Sequence, residues 1–305
     1  MLSHIQEART MKVVMGIREL EMGGKYLGTL RDANALMGNM DALRARMQED
    51  GYLLLRRFHD PQRVRAARQV LLQNLAANGQ IDMRYSLDEA VIAEGARGAF
   101  LGGAKAVTHT PEFLAVVESP EVMQFFSDFL GAPAVTFHYK WLRAVGTGEF
   151  TGAHYDIVYM GRGTTNLYTM WTPLGDVPLE KGPLAILEGS HRLEPLKQTY
   201  GRMDVDRDRV DGWFSRDPVE VVDRFGGRWL TTEFEAGDAI IFGMFTLHGS
   251  LNNVTNTYRL SCDTRYQRAD EPADERWIGE NPKGHEVLGK ERVQSIEEAR
   301  QRWGL

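Results

Sequence analysis

Cysteine is almost absent from this chain: Cys262 is the single one, so no internal disulfide can close and no cysteine cluster can hold zinc. That scarcity fits a reducing compartment and gives no sign of secretion. Long apolar runs are missing too. No window approaches the roughly 20 residues a membrane-spanning helix needs, and the opening "MLSHIQEARTMKVVMG" has no apolar stretch of signal-peptide length. The closing "WGL" is not a Ser-Lys-Leu peroxisomal address. A cytoplasmic location is therefore expected, with no membrane partner. Positive charge is also in short supply: Lys plus Arg number 36 against 42 Asp plus Glu, a formal charge of −6, which disfavours nucleic acid as the main partner. Internal repeats and low-complexity linkers are absent as well.

What is there is ordinary for a globular chain. Hydrophobic residues make up 43% and charged residues 26% of 305 positions, enough to bury a sizeable core. In the first part, the apolar run Tyr52 to Leu55 predicts a short strand. Asp60-Pro61, with Val64, Ala67, Leu71 and Leu75 at helical spacing, predicts a capped helix after it. Thr110-Pro111 and Ser119-Pro120 repeat the cap, and Gly131 ends the second of those helices. From about Val135 the character changes. "AVTFHYKWLRAV", "GAHYDIVYM", "LYTMWTPL", "GPLAILEGS", "LTTEFEAGDAIIF" and "YRLSCDTRYQ" are short β-rich runs between turn residues, the pattern of a sandwich or barrel. The expected organisation is mostly β with helical decoration: an extension of unclear role over 1–40, one domain over 41–275, and a tail over 276–305 with a short helix capped by Ser295.

"TGAHYD" sets His154 and Asp156 two positions apart, which on a strand would place both on one face. Two His and one carboxylate make a facial triad for non-haem iron, so a third ligand is wanted from another strand. "GDAIIFGMFTLHGS" supplies His248. With an unbroken period, Ile240, Phe242, Met244, Thr246, His248 and Ser250 would share one face; the plain alternative is a core histidine. Arg259, eleven positions later, enters a β-like run where a buried guanidinium needs an anion. That anion is either Asp263, two positions along the same face, or a dicarboxylate cosubstrate whose other end reaches the metal.

The order His154-x-Asp156, "LYTMWTPLGDVP", "KGPLAILEGSHR", His248-Gly-Ser250, Arg259 resembles the phytanoyl-CoA dioxygenase family of Fe(II)- and 2-oxoglutarate-dependent oxygenases. "EDGYLLLRRFHDPQRV" is similar to that family's opening, and the likeness runs from about residue 45 to 270. The resemblance implies a double-stranded β-helix (jelly roll, cupin-like) core packed against N-terminal helices. By it His154, Asp156 and His248 would ligate Fe(II), and Arg259 would hold the distal carboxylate of 2-oxoglutarate. Ser250 would lie near the same carboxylate and Trp171 beside the cosubstrate, unless Trp171 only fills the core. Thr169 or Lys140 would assist from an earlier strand. Dioxygen would be the oxidant, with a small molecule hydroxylated and succinate and CO2 released. The rival readings are a metal-dependent cupin-type isomerase, which has no use for Arg259, and a binding module without catalysis. Substrate contacts are expected from "TYGRMDVDRDRVDGWFSRDPVEVVDRFGGRW", as a lid carrying Trp213 and Phe214 or as an aromatic anchor for the loop, aided by Arg162.

Overall fold

The computed structural model describes residues 11–285 and 294–305. Its strands are β1 Lys12–Met15, β2 Arg18–Glu21, β3 Leu27–Thr29, β4 Tyr52–Leu55, β5 Ala99–Phe100, β6 Ala134–Thr136, β7 Trp141–Val145, β8 Leu167–Pro173, β9 Leu184–Leu187, β10 Trp229–Thr231, β11 Ala239–Gly243, β12 His248–Ser250 and β13 Arg259–Arg268. The α-helices are α1 Met40–Asp50, α2 Pro61–Ala77, α3 Lys105–Thr108, α4 Pro111–Val117, α5 Pro120–Leu130, α6 Ile157–Met160, α7 Glu194–Gln198, α8 Val205–Asp208, α9 Pro218–Phe225 and α10 Ile296–Trp303.

Two sheets form a jelly roll. The larger runs β4-β11-β8-β13-β7-β5, with β6 also on β13; the smaller runs β12-β9-β10-β3. Its pairings are antiparallel except β10 with β3, so the segment before residue 41 contributes an edge strand to the small sheet. Ile240 and Phe242 of β11 point between the sheets, onto Trp171, Leu184 and Ile186. Ala239 and Ile241 face the other way, onto Phe126 and Phe129 of α5. Cover on both faces explains why "AIIF" reads as an unbroken apolar run. Helices α2, α4 and α5 hold that outer layer, begun by caps that the sequence announces: the Asp60, Thr110 and Ser119 side chains accept from the first turns of the three helices.

Three local expectations change. "GAHYDIVYM" is not a strand: Ala153 and His154 make single bridges, to Ser215 and His248, and the chain then turns into α6 with Asp156 as its N-cap. The run carrying His248 breaks its period, because β11 ends at Gly243 in the large sheet and β12 starts at His248 in the small one. Residues 199–228 are not an irregular lid either; they contain α8 and α9, the latter capped by Asp217, whose side chain accepts from Val219 and Glu220.

Candidate active site

β13 alternates sharply. Leu260 and Cys262 pack on the helical layer, whereas Arg259, Asp263 and Arg265 line a cleft between the sheets with Arg143 of β7. Across the cleft stand His154 and His248, whose backbones exchange two hydrogen bonds, His154 N to His248 O at 2.9 Å and the reverse at 3.0 Å. The rings therefore lie side by side, centroids 4.1 Å apart. Gly249 lets this pairing close, since a Cβ there would meet the Thr151 carbonyl at 2.8 Å.

Each imidazole has one nitrogen held by main chain: His154 Nδ1 lies 2.9 Å from the Gly152 carbonyl and His248 Nδ1 3.0 Å from that of Thr246. Donation at Nδ1 leaves the Nε2 lone pair free. Those Nε2 atoms approach Asp156 Oδ1 at 3.8 and 3.9 Å, and the three donor atoms lie within 4.8 Å of one another. Ligand bonds of about 2.1 Å to one ion put neighbouring donors roughly 3 Å apart, so the set would contract by roughly 1 to 2 Å on binding it. Burial pushes the His154 pKa from 6.5 down to about 3, with His248 adding to it, and burial lowers His248 in the same direction. Both rings are neutral, as metal ligands must be. Burial pushes Asp156 up, but the Arg265 guanidinium and the Thr169 hydroxyl oppose it and hold the carboxyl below its usual range. Arg265 Nη2 donates to both Asp156 oxygens at 3.1 Å, and Thr169 Oγ1 donates to Oδ2. Two neutral imidazoles and one ionised carboxylate, all buried, fit a divalent non-haem iron.

Arg259 is 2% exposed and its Nε has no hydrogen-bond partner. Asp263 pairs instead with Arg143, at 3.1 Å, so the protein-acid partner considered for Arg259 is not used. The Trp171 ring meets Phe234 edge-on at 4.8 Å in the core, and the Arg259 guanidinium lies 6.0 Å from its centre, so the side chain fills the core and also reaches the cleft. Ser250 lines the same cleft, its hydroxyl accepting from the Thr151 amide at 2.9 Å.

Other expected residues lie elsewhere. Lys140 is fully buried on the helical side, bound to Glu118 and the Phe137 carbonyl, each at 2.6 Å, because a buried ammonium settles where acceptors converge. Arg162 pairs with Asp204 at 2.6 Å instead of facing the cleft. Phe214 is a core side chain, packed on Tyr200 and Phe225, which makes it an anchor and not a lid. Trp213 is half-buried and lies against Gly152, where a Cβ would meet its ring at 2.7 Å. With Tyr159 it borders a cavity of about 550 Å³, and the Tyr159 ring meets His154 edge-on at 5.5 Å. Sequence reasoning missed Arg143 and Arg265, although period two along "RLSCDTRYQ" already puts Arg265 on the face of Arg259.

Residues 47–261 match the family model described as phytanoyl-CoA dioxygenase (PhyH), and the chain belongs to that family of Fe(II)- and 2-oxoglutarate-dependent dioxygenases. A curated relative, 1-deoxypentalenic acid 11-beta-hydroxylase of Streptomyces exfoliatus, is 29% identical over 252 residues, covering 78% of this chain and 84% of the relative. Among solved structures, the non-heme alpha ketoglutarate dependent carbocyclase SnoK from nogalamycin biosynthesis superposes with a TM-score of 0.56 at 19% identity, over 86% of this chain and 98% of that one. The epimerase SnoN, in complex with Fe3+, alpha ketoglutarate and nogalamycin RO, gives 0.55 at 20% identity, over 82% and 96%. Those two likenesses bear on the fold, which is the jelly roll of this enzyme class. No helix among the described residues is long and apolar enough to cross a membrane.

Proposed function

We propose that the chain hydroxylates a small molecule, with His154, Asp156 and His248 holding one Fe(II) and Arg259 binding the distal carboxylate of 2-oxoglutarate. The observation that carries the assignment is the pairing of a buried His-Asp-His donor set with a buried, anion-free arginine in one cleft. A non-oxygenase cupin-type isomerase, which takes no 2-oxo acid, would not need that arginine. Bound iron supplies the redox chemistry by which dioxygen oxidises the 2-oxo acid and the substrate together. The protein's share is positional. Gly152 and Thr246 fix the ring tautomers, Thr169 and Arg265 keep Asp156 ionised and aimed, and Trp171 with Ser250 flanks the cosubstrate. Trp213 and Tyr159 border the side from which substrate would approach. The Asp ligand supports hydroxylation, since a carboxylate leaves no iron position for halide. A related hydroxylase adds weight, while the carbocyclase and the epimerase mean that product mass must be read. The one cysteine, buried, agrees with a cytoplasmic setting.

The test is reconstitution with Fe(II) and 2-oxoglutarate, followed by a screen of a metabolite pool for products heavier by one oxygen. His154→Ala and His248→Ala should each lose iron while keeping a folded melting transition. Full iron content in both variants would refute the ligand assignment.

A further inference from the structure

Charge in the cleft does not balance. Its lining carries three guanidinium groups, Arg143, Arg259 and Arg265, and beside them stand two carboxylates, Asp263 and Asp156. Arg143 cancels Asp263, at 3.1 Å, and Arg265 cancels Asp156, also at 3.1 Å, so Arg259 is left over. A divalent ion adds two positive charges and the 2-oxoglutarate dianion removes two. One positive charge therefore persists in a buried site, where an uncompensated ion costs several kcal/mol.

Arg265 shows where the missing anion would go. The side chain is 3% exposed, and only Nη2 is used, on Asp156; Nε and Nη1 are buried without a hydrogen-bond partner. The guanidinium lies 4.2 Å from the centre of the Trp141 ring. On the same tryptophan, ring centres 4.8 Å apart, packs Trp277, itself wholly buried with Nε1 unpartnered. Orphaned donors of two side chains thus adjoin one ring, and acceptors for them are absent among the described residues. Arg265 and Trp277 both lie outside the span matched by the family model, 47–261.

We propose that the substrate bears an anionic group of the carboxylate class, received by Arg265 through Nε and Nη1 with Trp277 Nε1 as a second donor. This rests on the oxygenase reading, and it assigns Arg265 two partners: Asp156 on one edge and the substrate's acid on the others. The hydrocarbon part of the substrate is then set by where its acid is pinned relative to the ligand triad.

The experiment uses protein loaded with Fe(II) and 2-oxoglutarate without oxygen, and two matched probe pairs: cyclohexanecarboxylate and octanoate, each against its primary amide. Titration of 2-oxoglutarate comes first; failure to bind it would sink the oxygenase reading and leaves acid preference to be measured separately on the unloaded protein. With 2-oxoglutarate bound, calorimetry should show at least one acid binding tenfold or more tighter than its amide. Arg265→Gln, with metal content checked, should bring that ratio close to one, and Trp277→Phe should lower it severalfold with iron retained. The inference is overturned if neither acid outbinds its amide in the wild type. It is overturned equally if the ratio survives Arg265→Gln. Should that variant lose iron or fold, an unchanged ratio in both Trp277→Phe and Arg265→Lys has the same force.

Discussion

Replacing Arg259 by Leu separates a cosubstrate anchor from a structural cation, because the two roles move two measurements in opposite ways. Burial, with Arg143 adding and Asp263 opposing, lowers the Arg259 pKa from its ordinary 12.5 to about 10. At about 1.4 kcal/mol per tenfold change in acidity, holding that charge inside the ligand-free protein costs ~3 kcal/mol. Asp263 is already bound to Arg143, so Arg259→Leu strands no acid. The ligand-free variant should therefore be as stable as the wild type or ~1 to 3 kcal/mol more stable, a rise of a few degrees in Tm by differential scanning calorimetry. The same change removes a charge-assisted bond to 2-oxoglutarate worth about 1.5 to 3 kcal/mol. Its Kd, from titration into Fe(II)-loaded protein without oxygen, should rise roughly 10- to 150-fold. A less stable variant with an unaltered Kd would refute the reasoning and return Arg259 to the scaffold.

Phe214→Ala should cost ~3 to 5 kcal/mol of stability and leave 2-oxoglutarate affinity unchanged, which denaturant unfolding and calorimetry check together. Lys140→Met should cost ~1 to 3 kcal/mol, because it strands Glu118 and the buried Phe137 carbonyl, and should leave the cosubstrate Kd unchanged; a weaker Kd would bring Lys140 back to the site. Burial pushes His59 from 6.5 down to about 4, so the unfolded chain takes its proton first on acidification and stability falls as pH drops through that window. His59→Gln, placed to keep the 3.1 Å bond to Thr172, should remove up to ~1.4 kcal/mol per pH unit of that slope in metal-free protein. An identical slope in the variant would count against it.

Strands covered on both faces, such as "AIIF", and helices opened by Ser, Thr or Asp before Pro were legible because local chemistry decides them. The triad's membership was legible too, but not its backbone: His154 and Asp156 were read as a strand pair, whereas a single bridge followed by the first turn of α6 aims them. Nothing local announces that turn. The crossing between β11 and β12 was hidden for a similar reason, since the run from Ala239 to Ser250 stays rich in strand formers while the chain changes sheets. Lys140 and Arg162 lie away from the cleft, and Phe214 takes the anchor reading over the lid, because their partners, Glu118, Asp204 and Tyr200, are tertiary neighbours that residue type alone does not reveal. Arg265 could have been found. It stands six positions after Arg259, on the same face of a strand, and a buried metal-binding carboxylate needs a cationic partner of its own.

The two main-chain hydrogen bonds between His154 and His248 mean that an ion held by those side chains fastens the same two points, 94 positions apart, that the backbone already joins. Iron then acts as a clasp on a long loop, and such a closure removes freedom mainly from the unfolded chain. Unzipping β12 from its neighbour would require the clasp to open first. Metal loss and fraying of the small sheet become one event, so protection of the His154 and His248 amides from hydrogen exchange reports on occupancy as directly as chemical analysis of the metal.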